Sequence, residues 1–230
     1  MDVISFSIIC VKVVLVFAIT MLTVLIMIYA ERRISAFMQG RLGPNRVGPQ
    51  GLLQPIADGI KFLMKEDVIP AGVDKPVYLL APAMLLIPAL MTFAVIPFGA
   101  SITLFGRVIP LQVADINVGI LYILALTSIG VYGLVLAGWS SNSKYPLIGG
   151  LRSSAQLISY ELAMGLAIVS IVLLAGSLRL NDIIANQQGY FLSWNICKQP
   201  LAFLIFLIAI YAETNRLPFD LTESEQELVG

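Results

Sequence analysis

The chain has 230 residues, of which 58% are hydrophobic and 12% charged, with 14 basic and 14 acidic side chains in balance. An average soluble domain carries roughly 25% charged residues, so this composition excludes an ordinary water-soluble core, and the zero net charge gives no reason to expect nucleic acid as a partner. Cys10 and Cys197 are the two thiols, and with no histidine and no Cys-x-x-Cys the chain lacks the usual zinc ligands, a four-thiolate iron–sulfur set and a histidine-ligated haem.

A helix that spans a bilayer takes about 20 mainly apolar residues. The first such run, Val3 to Tyr29, is too long for a signal-peptide core and has no small-residue cleavage site, so it reads as a retained helix. Lys12 within it can snorkel its stem toward an interface. Glu31 to Pro76 then reads as a long polar loop in two halves. In the first, GRLGPNRVGPQG, Gly40, Gly43, Pro44, Gly48, Pro49 and Gly51 rule out a regular helix. In the second, Leu52 to Met64, apolar Leu53, Ile56, Ala57, Ile60 and Leu63 recur at helical spacing, with Gln54, Asp58, Lys61 and Lys65 on or beside the opposite face. That is an amphipathic helix at the membrane interface; a helix merely resting on lipid accounts for the pattern equally well.

Four more apolar runs follow: Val77 to Phe98, Val118 to Ala137, Leu157 to Ala175 and the short Pro200 to Thr214. None alternates as barrel strands do, so all are helices, whose backbone groups are satisfied within the segment. Pro82, Pro88 and Pro97 in the first of these are kink sites, and Gly119, Gly130, Gly133 and Gly138 in or after the second allow helices to approach closely. The expectation is an all-α fold: a polytopic membrane helix bundle over residues 1–230, with about five transmembrane helices, one interfacial helix and no internal repeat.

Charge placement predicts orientation. The segment from Glu31 to Lys75 carries Arg32, Arg33, Arg41, Arg46, Lys61, Lys65 and Lys75, whereas the next loop carries only Arg107 and the fourth only Arg179 and Lys198. Lys144 and Arg152 flank the third loop, and Arg216 follows the last helix. The positive-inside rule puts the first, third and final segments on the cytoplasmic or matrix side and the N-terminus outside.

Two glutamates stand inside apolar runs, Glu161 in SYELAMG and Glu213 in YAETNR. A carboxylate at a helix centre costs about 2.5–3.5 kcal/mol on insertion scales, and a desolvated carboxyl group can exchange a proton near neutral pH. Each is explained either as a protonated acid making one interhelical hydrogen bond or as part of a polar path. Together with Asp115, which opens the third helix, and Glu31, which closes the first, the pair favours a path. After Arg216 the chain reads LPFDLTESEQELVG, with Asp220, Glu223, Glu225 and Glu227 interleaved among apolar residues. A run of acids is commonly a solvated loop; the apolar interleaving suits a folded segment bordering a cavity.

Three stretches, ERRISAFMQGRLGPNRVGPQGLLQPIADGIKFLMKE, LAGWSSNSKYPLIGGLRSSAQLISYE and AETNRLPFDLTESEQELV, closely resemble the H subunit of NADH:quinone oxidoreductase, respiratory complex I, called subunit 1 in mitochondria. The resemblance covers nearly the whole chain. It implies a multi-pass subunit of a bacterial plasma membrane or an organellar inner membrane. Such a subunit anchors a hydrophilic electron-transfer arm, contacts small membrane subunits and forms most of a quinone tunnel. It implies quinone as substrate and FMN and iron–sulfur clusters in partner subunits, with no redox centre and no strictly catalytic residue in this one. Carried over residue by residue, Arg32, Arg41, Asp58 and Lys61 match polar tunnel and arm-contact positions. Glu31, Glu161 and Glu213 match carboxylates that lead protons or charge away from the tunnel, with Arg152 and Tyr160 as their polar neighbours. Arg216, Asp220, Glu223, Glu225 and Glu227 match the start, over residues 216–230, of an acidic loop beneath the quinone site. The family has eight helices and a further loop beyond this motif, so the expectation is an incomplete sequence or one piece of a split gene.

Homologous subunits of membrane-bound hydrogenases and of ferredoxin- or deazaflavin-dependent dehydrogenases share parts of these patterns. A secondary ion transporter also accommodates buried carboxylates but predicts an inverted repeat. A structural membrane anchor explains the loop and leaves Glu161 and Glu213 without a purpose.

Overall fold

The structure is a computed structural model that describes residues 3–104, 106–216 and 218–220. The chain forms two compact units, residues 1–69 and 70–230.

In the first unit, α1 (Val3–Met38) is one continuous helix of 36 residues. At about 1.5 Å per residue it is about 54 Å long, well beyond the roughly 30 Å of a bilayer's hydrocarbon core. Its last turns carry Glu31, Arg32 and Arg33, which were expected to open the loop. Glu and Arg are good helix formers, and the first breaker is Gly40, which adopts φ +66° just past the helix. The Gly/Pro segment then folds back on α1. A Cβ at Gly51 would stand 2.1 Å from the Pro44 carbonyl oxygen, so glycine alone fits there, at φ +77°. The Gln50 carbonyl, at a left-handed residue, accepts hydrogen bonds from Tyr29 Oη and Arg33 Nη1, each at 3.0 Å. Helix α2 (Gln54–Leu63) follows where the periodicity put it, with Ile56, Ile60 and Leu63 exposed along one side.

The second unit is a serial helix bundle. Helix α3 (Lys75–Thr92) packs on α4 (Gly119–Ser140), α4 on α5 (Lys144–Ala175), and α5 on α8 (Pro200–Glu213). The short helices α6 (Leu180–Ala185) and α7 (Asn195–Lys198) lie between the last two in sequence. Helix α3 contains Pro82 and Pro88 but stops before Pro97, the expected run being cut by turns from Phe93 onward. Helix α5 starts 13 residues earlier than its apolar run. Pro146 falls in its first turn, where proline is tolerated, and the next true stop is Gly176 at φ +69°. A short hairpin, β1 (Ile102–Leu104) with β2 (Arg107–Ile109), joins α3 to α4 and was not expected; Ile102 pairs with Ile109 and Thr103 with Val108 across it.

Of the four glycines expected to allow close helix approach, Gly133 and Gly138 meet a neighbouring helix's backbone, whereas Gly130 faces open space. A Cβ on Gly138 of α4 would lie 2.7 Å from the Pro146 carbonyl oxygen of α5 and 3.4 Å from the Gly150 Cα. One on Gly133 would lie 2.9 Å from the Ala81 carbonyl oxygen of α3. Side chains facing outward are apolar, with Leu166 71% and Leu173 79% exposed on α5, as lipid-facing helices require. Among the described residues four helices, α1, α3, α4 and α5, are long and apolar enough to cross a bilayer; α8 is apolar and shorter.

Candidate functional site

In the first unit the end of α1, the fold-back loop and α2 surround a polar cavity of about 530 Å³. Glu31, Arg32, Arg41, Arg46 and Gln54 line it. Arg32 Nη1 donates to Asp58 Oδ2 in an ion pair, and Gln54 Nε2, one turn earlier on α2, donates to Asp58 Oδ1 at 3.1 Å. These hydrogen bonds, that from Arg32 foremost, hold the Asp58 carboxyl below the usual carboxylate range, and the charge of Lys61 adds to the effect. Arg41 Nε donates to Gln39 Oε1 at 2.6 Å, and Lys61 Nζ lies 5.5 Å from the Phe62 ring centroid. Of the residues singled out in the sequence, Glu31, Arg32 and Arg41 thus line one cavity, and Asp58 is joined to it through Arg32.

In the second unit Glu161 sits on the face of α5 turned to α4. Thr127 Oγ1 donates to its Oε1 at 3.2 Å, and Ser128 Oγ donates to the same oxygen. Each hydroxyl also has the Leu124 carbonyl oxygen within 2.9 Å, so one hydrogen chooses between two acceptors. Glu213 ends α8, which packs on α5, the helix that carries Glu161. Glu213 Oε2, like Oδ1 of Asp220, is buried without a hydrogen-bond partner among the described residues. A buried carboxylate oxygen left without a donor is costly.

The segment after α8 is docked on α5. Gln156 Nε2 donates to the Phe219 carbonyl oxygen at 2.8 Å and to Asn215 Oδ1 at 3.4 Å, and the Phe219 ring meets Tyr160 edge-on at 5.4 Å. Arg152 and Arg216 are exposed. Glu223, Glu225 and Glu227 lie outside the described residues. Thr127, Ser128 and Gln156 were missed in the sequence; hydroxyls in membrane helices so commonly bond their own backbone that their spacing gives no functional signal.

Asp115, expected to share the path of Glu161, is committed elsewhere. Arg179 grips it through Nε, at 3.0 and 3.1 Å from its two oxygens, and through Nη2. Those hydrogen bonds hold Asp115 below the ordinary carboxylate range and raise Arg179 above its own. Asp115 precedes α4 by four residues, whereas Thr127 is eight residues into it, so roughly 12 Å or more of helix separates the ion pair from Glu161 at about 1.5 Å per residue. Among the described residues no cluster of three Asp, Glu or Cys is placed to bind a metal ion.

These features define a polytopic α-helical membrane protein with ionisable groups held between its helices, the kind of residue that marks ion or proton paths in membrane proteins. The NADH dehydrogenase family model matches residues 11–230. The chain is 62% identical over 219 residues to an NADH-quinone oxidoreductase H subunit of Geobacter metallireducens and 60% identical to one of Geobacter sulfurreducens, each match covering 95% of this chain. An NADH-quinone oxidoreductase H subunit of Koribacter versatilis is 50% identical over 96% of it. The chain belongs to the NADH dehydrogenase family, and it spans 66% of the length of these relatives.

Proposed function

We propose that this chain serves as the quinone-chamber and arm-anchoring subunit of a proton-pumping NADH:quinone oxidoreductase. The observation that carries the reading is the convergence of Glu161, Glu213 and the docked segment through Asp220 on one interhelical site of a NADH dehydrogenase family member. The relatives' names favour it over the hydrogenase and deazaflavin-linked homologues, and a simple transporter leaves the polar cavity at the end of α1 without a role.

In this reading Arg32, Arg41, Asp58 and Lys61 line the polar part of a quinone tunnel beside the hydrophilic arm, with Glu31 at its wall. Electrons arrive from FMN and iron–sulfur clusters in partner subunits, and this chain adds no redox centre. Reduction of quinone changes the field felt by Arg216, Asp220 and the acids that follow, Glu223, Glu225 and Glu227. Glu213 and Glu161 exchange protons in response, with Tyr160 and Arg152 as polar neighbours, and the change passes to antiporter-like pump subunits. Asp115 is left off this route because its carboxylate is held by Arg179. The basic loop faces the cytoplasm or matrix and the N-terminus the opposite side.

The test measures quinone reduction and proton translocation together in membranes carrying the assembled complex with the full-length chain. Glu161→Gln keeps the acceptor oxygen for Thr127 and Ser128 while removing the ionisable proton. Quinone reduction or the proton-to-electron ratio should fall in Glu161→Gln and in Glu213→Gln. Wild-type values for both variants would leave the two groups as hydrogen-bonded structural acids and end the proton-route reading.

A further inference from the structure

Two residues one helical turn apart on α5, Gln156 and Tyr160, point along the same face. Both contact Phe219, the first at its carbonyl oxygen and the second at its ring. The chain reaches them through a tight turn: Asn215 takes a left-handed conformation at φ +50° just past α8, and the Phe219 amide donates to the Arg216 carbonyl oxygen at 2.7 Å. Gln156 also donates to Asn215 Oδ1, so one amide group spans both ends of the turn. On either side of this turn stand two buried carboxylate oxygens without a hydrogen-bond partner among the described residues, Glu213 Oε2 and Asp220 Oδ1.

We propose that Gln156 is the positioning residue that fixes the segment following α8 onto α5, and that undocking this segment admits water to the carboxyl groups of Glu213 and Asp220. Gln156 does this with a neutral amide, which a change of charge nearby does not titrate, while Tyr160 and Phe219 supply an apolar contact that excludes water. Its functional half, that the docked segment borders the quinone site, rests on the reading given above.

Hydrogen–deuterium exchange on the assembled complex tests it, comparing wild type with Gln156→Leu and Gln156→Glu. Leucine removes the donor at similar bulk, and glutamate keeps the length but turns an acceptor toward the Phe219 carbonyl. Exchange in the peptide spanning 214–220 should rise about fivefold to tenfold, the ratio expected for one lost hydrogen bond, while exchange in 162–172 stays unchanged. The KM for a short-chain quinone should rise in the same variants, with electron transfer to a soluble acceptor unaltered. Unchanged exchange in 214–220 in both variants overturns the proposal. Raised exchange with a wild-type KM upholds the positioning role and overturns the quinone-site reading of the segment. If neither variant assembles, the wild type decides: protection of the 214–220 amides supports docking, and exchange at the rate of an open coil refutes it.

Discussion

The contact between α4 and α5 at Gly138 invites a matched pair of substitutions. In Gly138→Ala the new methyl would begin 2.7 Å from the Pro146 carbonyl oxygen, where ordinary contact starts near 3.4 Å. The obstruction is backbone rather than a pliable side-chain tip, so the helices must part by about 0.7 Å, and overpacking of this kind costs about 1–3 kcal/mol. That is a factor of roughly 5 to 150 in the unfolding equilibrium, at about 1.4 kcal/mol per tenfold. Gly130→Ala, two turns back on the same helix, meets nothing within 4 Å and should stay within about 0.5 kcal/mol of wild type. Thermal inactivation of the complex in membranes, followed by quinone reduction, separates the two. Gly138→Ala should inactivate at lower temperature. It should also lose activity before it loses assembly, because Thr127, about 16 Å along α4 at about 1.5 Å per residue, is set against Glu161 by the same packing. Equal stability of the two variants would refute the close-approach argument.

Asp58→Asn removes the charge that pairs with Arg32 but keeps an acceptor; quinone reduction should fall while transfer to a soluble artificial acceptor persists, and equal loss of both would count against a tunnel role. The Asp115–Arg179 pair gives a pH signature: a carboxyl held below its ordinary value contributes stability above the usual carboxylate range, near about pH 4, and loses it as pH falls through the lowered value. The stability difference between wild type and Asp115→Asn should therefore be flat from about pH 6 to 8 and vanish in acid, and a difference that grows on acidification would contradict the pairing. Leu42, exposed in the fold-back loop, is a site for a single cysteine: an impermeant reagent should label it from the cytoplasmic or matrix side, and labelling from the opposite side alone would reverse the topology.

Hydropathy located the long apolar helices among the described residues because lipid demands apolar surface along a fixed thickness, yet it misplaced helix ends, which answer to a different cause. Glu31–Arg33 and Lys144–Gln156 are polar but free of effective breakers, so α1 and α5 continue through them until Gly40 and Gly176. The β1–β2 hairpin is too short for periodicity to register, three residues on each side of a turn containing Gly106. At the candidate sites, the charged residues announced themselves by sitting where charge is expensive. Their partners did not. Gln54 read as a polar-face residue of the interfacial helix, Gln156 fell outside the expected helices, and Thr127 and Ser128 gave no signal, since which acceptor a hydroxyl uses depends on what the neighbouring helix brings to it. Asp115 shows the converse: its place at a helix start suggested a path, and only the position of Arg179, 64 residues on, revealed the ion pair.

The hydroxyl pair gives the proposed response of Glu161 a physical form. Thr127 and Ser128 each hold one hydrogen, and each has both the Leu124 carbonyl oxygen and Glu161 Oε1 within reach. When Glu161 is ionised, both hydrogens gain by turning to it, since bonds to a charged acceptor are roughly twice as strong as neutral ones. When it is protonated, they return to Leu124, and the carboxyl has a hydrogen of its own to donate. The exchange requires rotation about two side-chain bonds and no helix movement, and each hydroxyl keeps an acceptor in either state. Glu213 differs because one of its oxygens is buried with no hydrogen-bond partner among the described residues. In the proposed route the two carboxyl groups therefore differ: the hydroxyl pair of Glu161 accommodates either state, whereas Glu213 stands two residues before Asn215, where Gln156 anchors the docked segment.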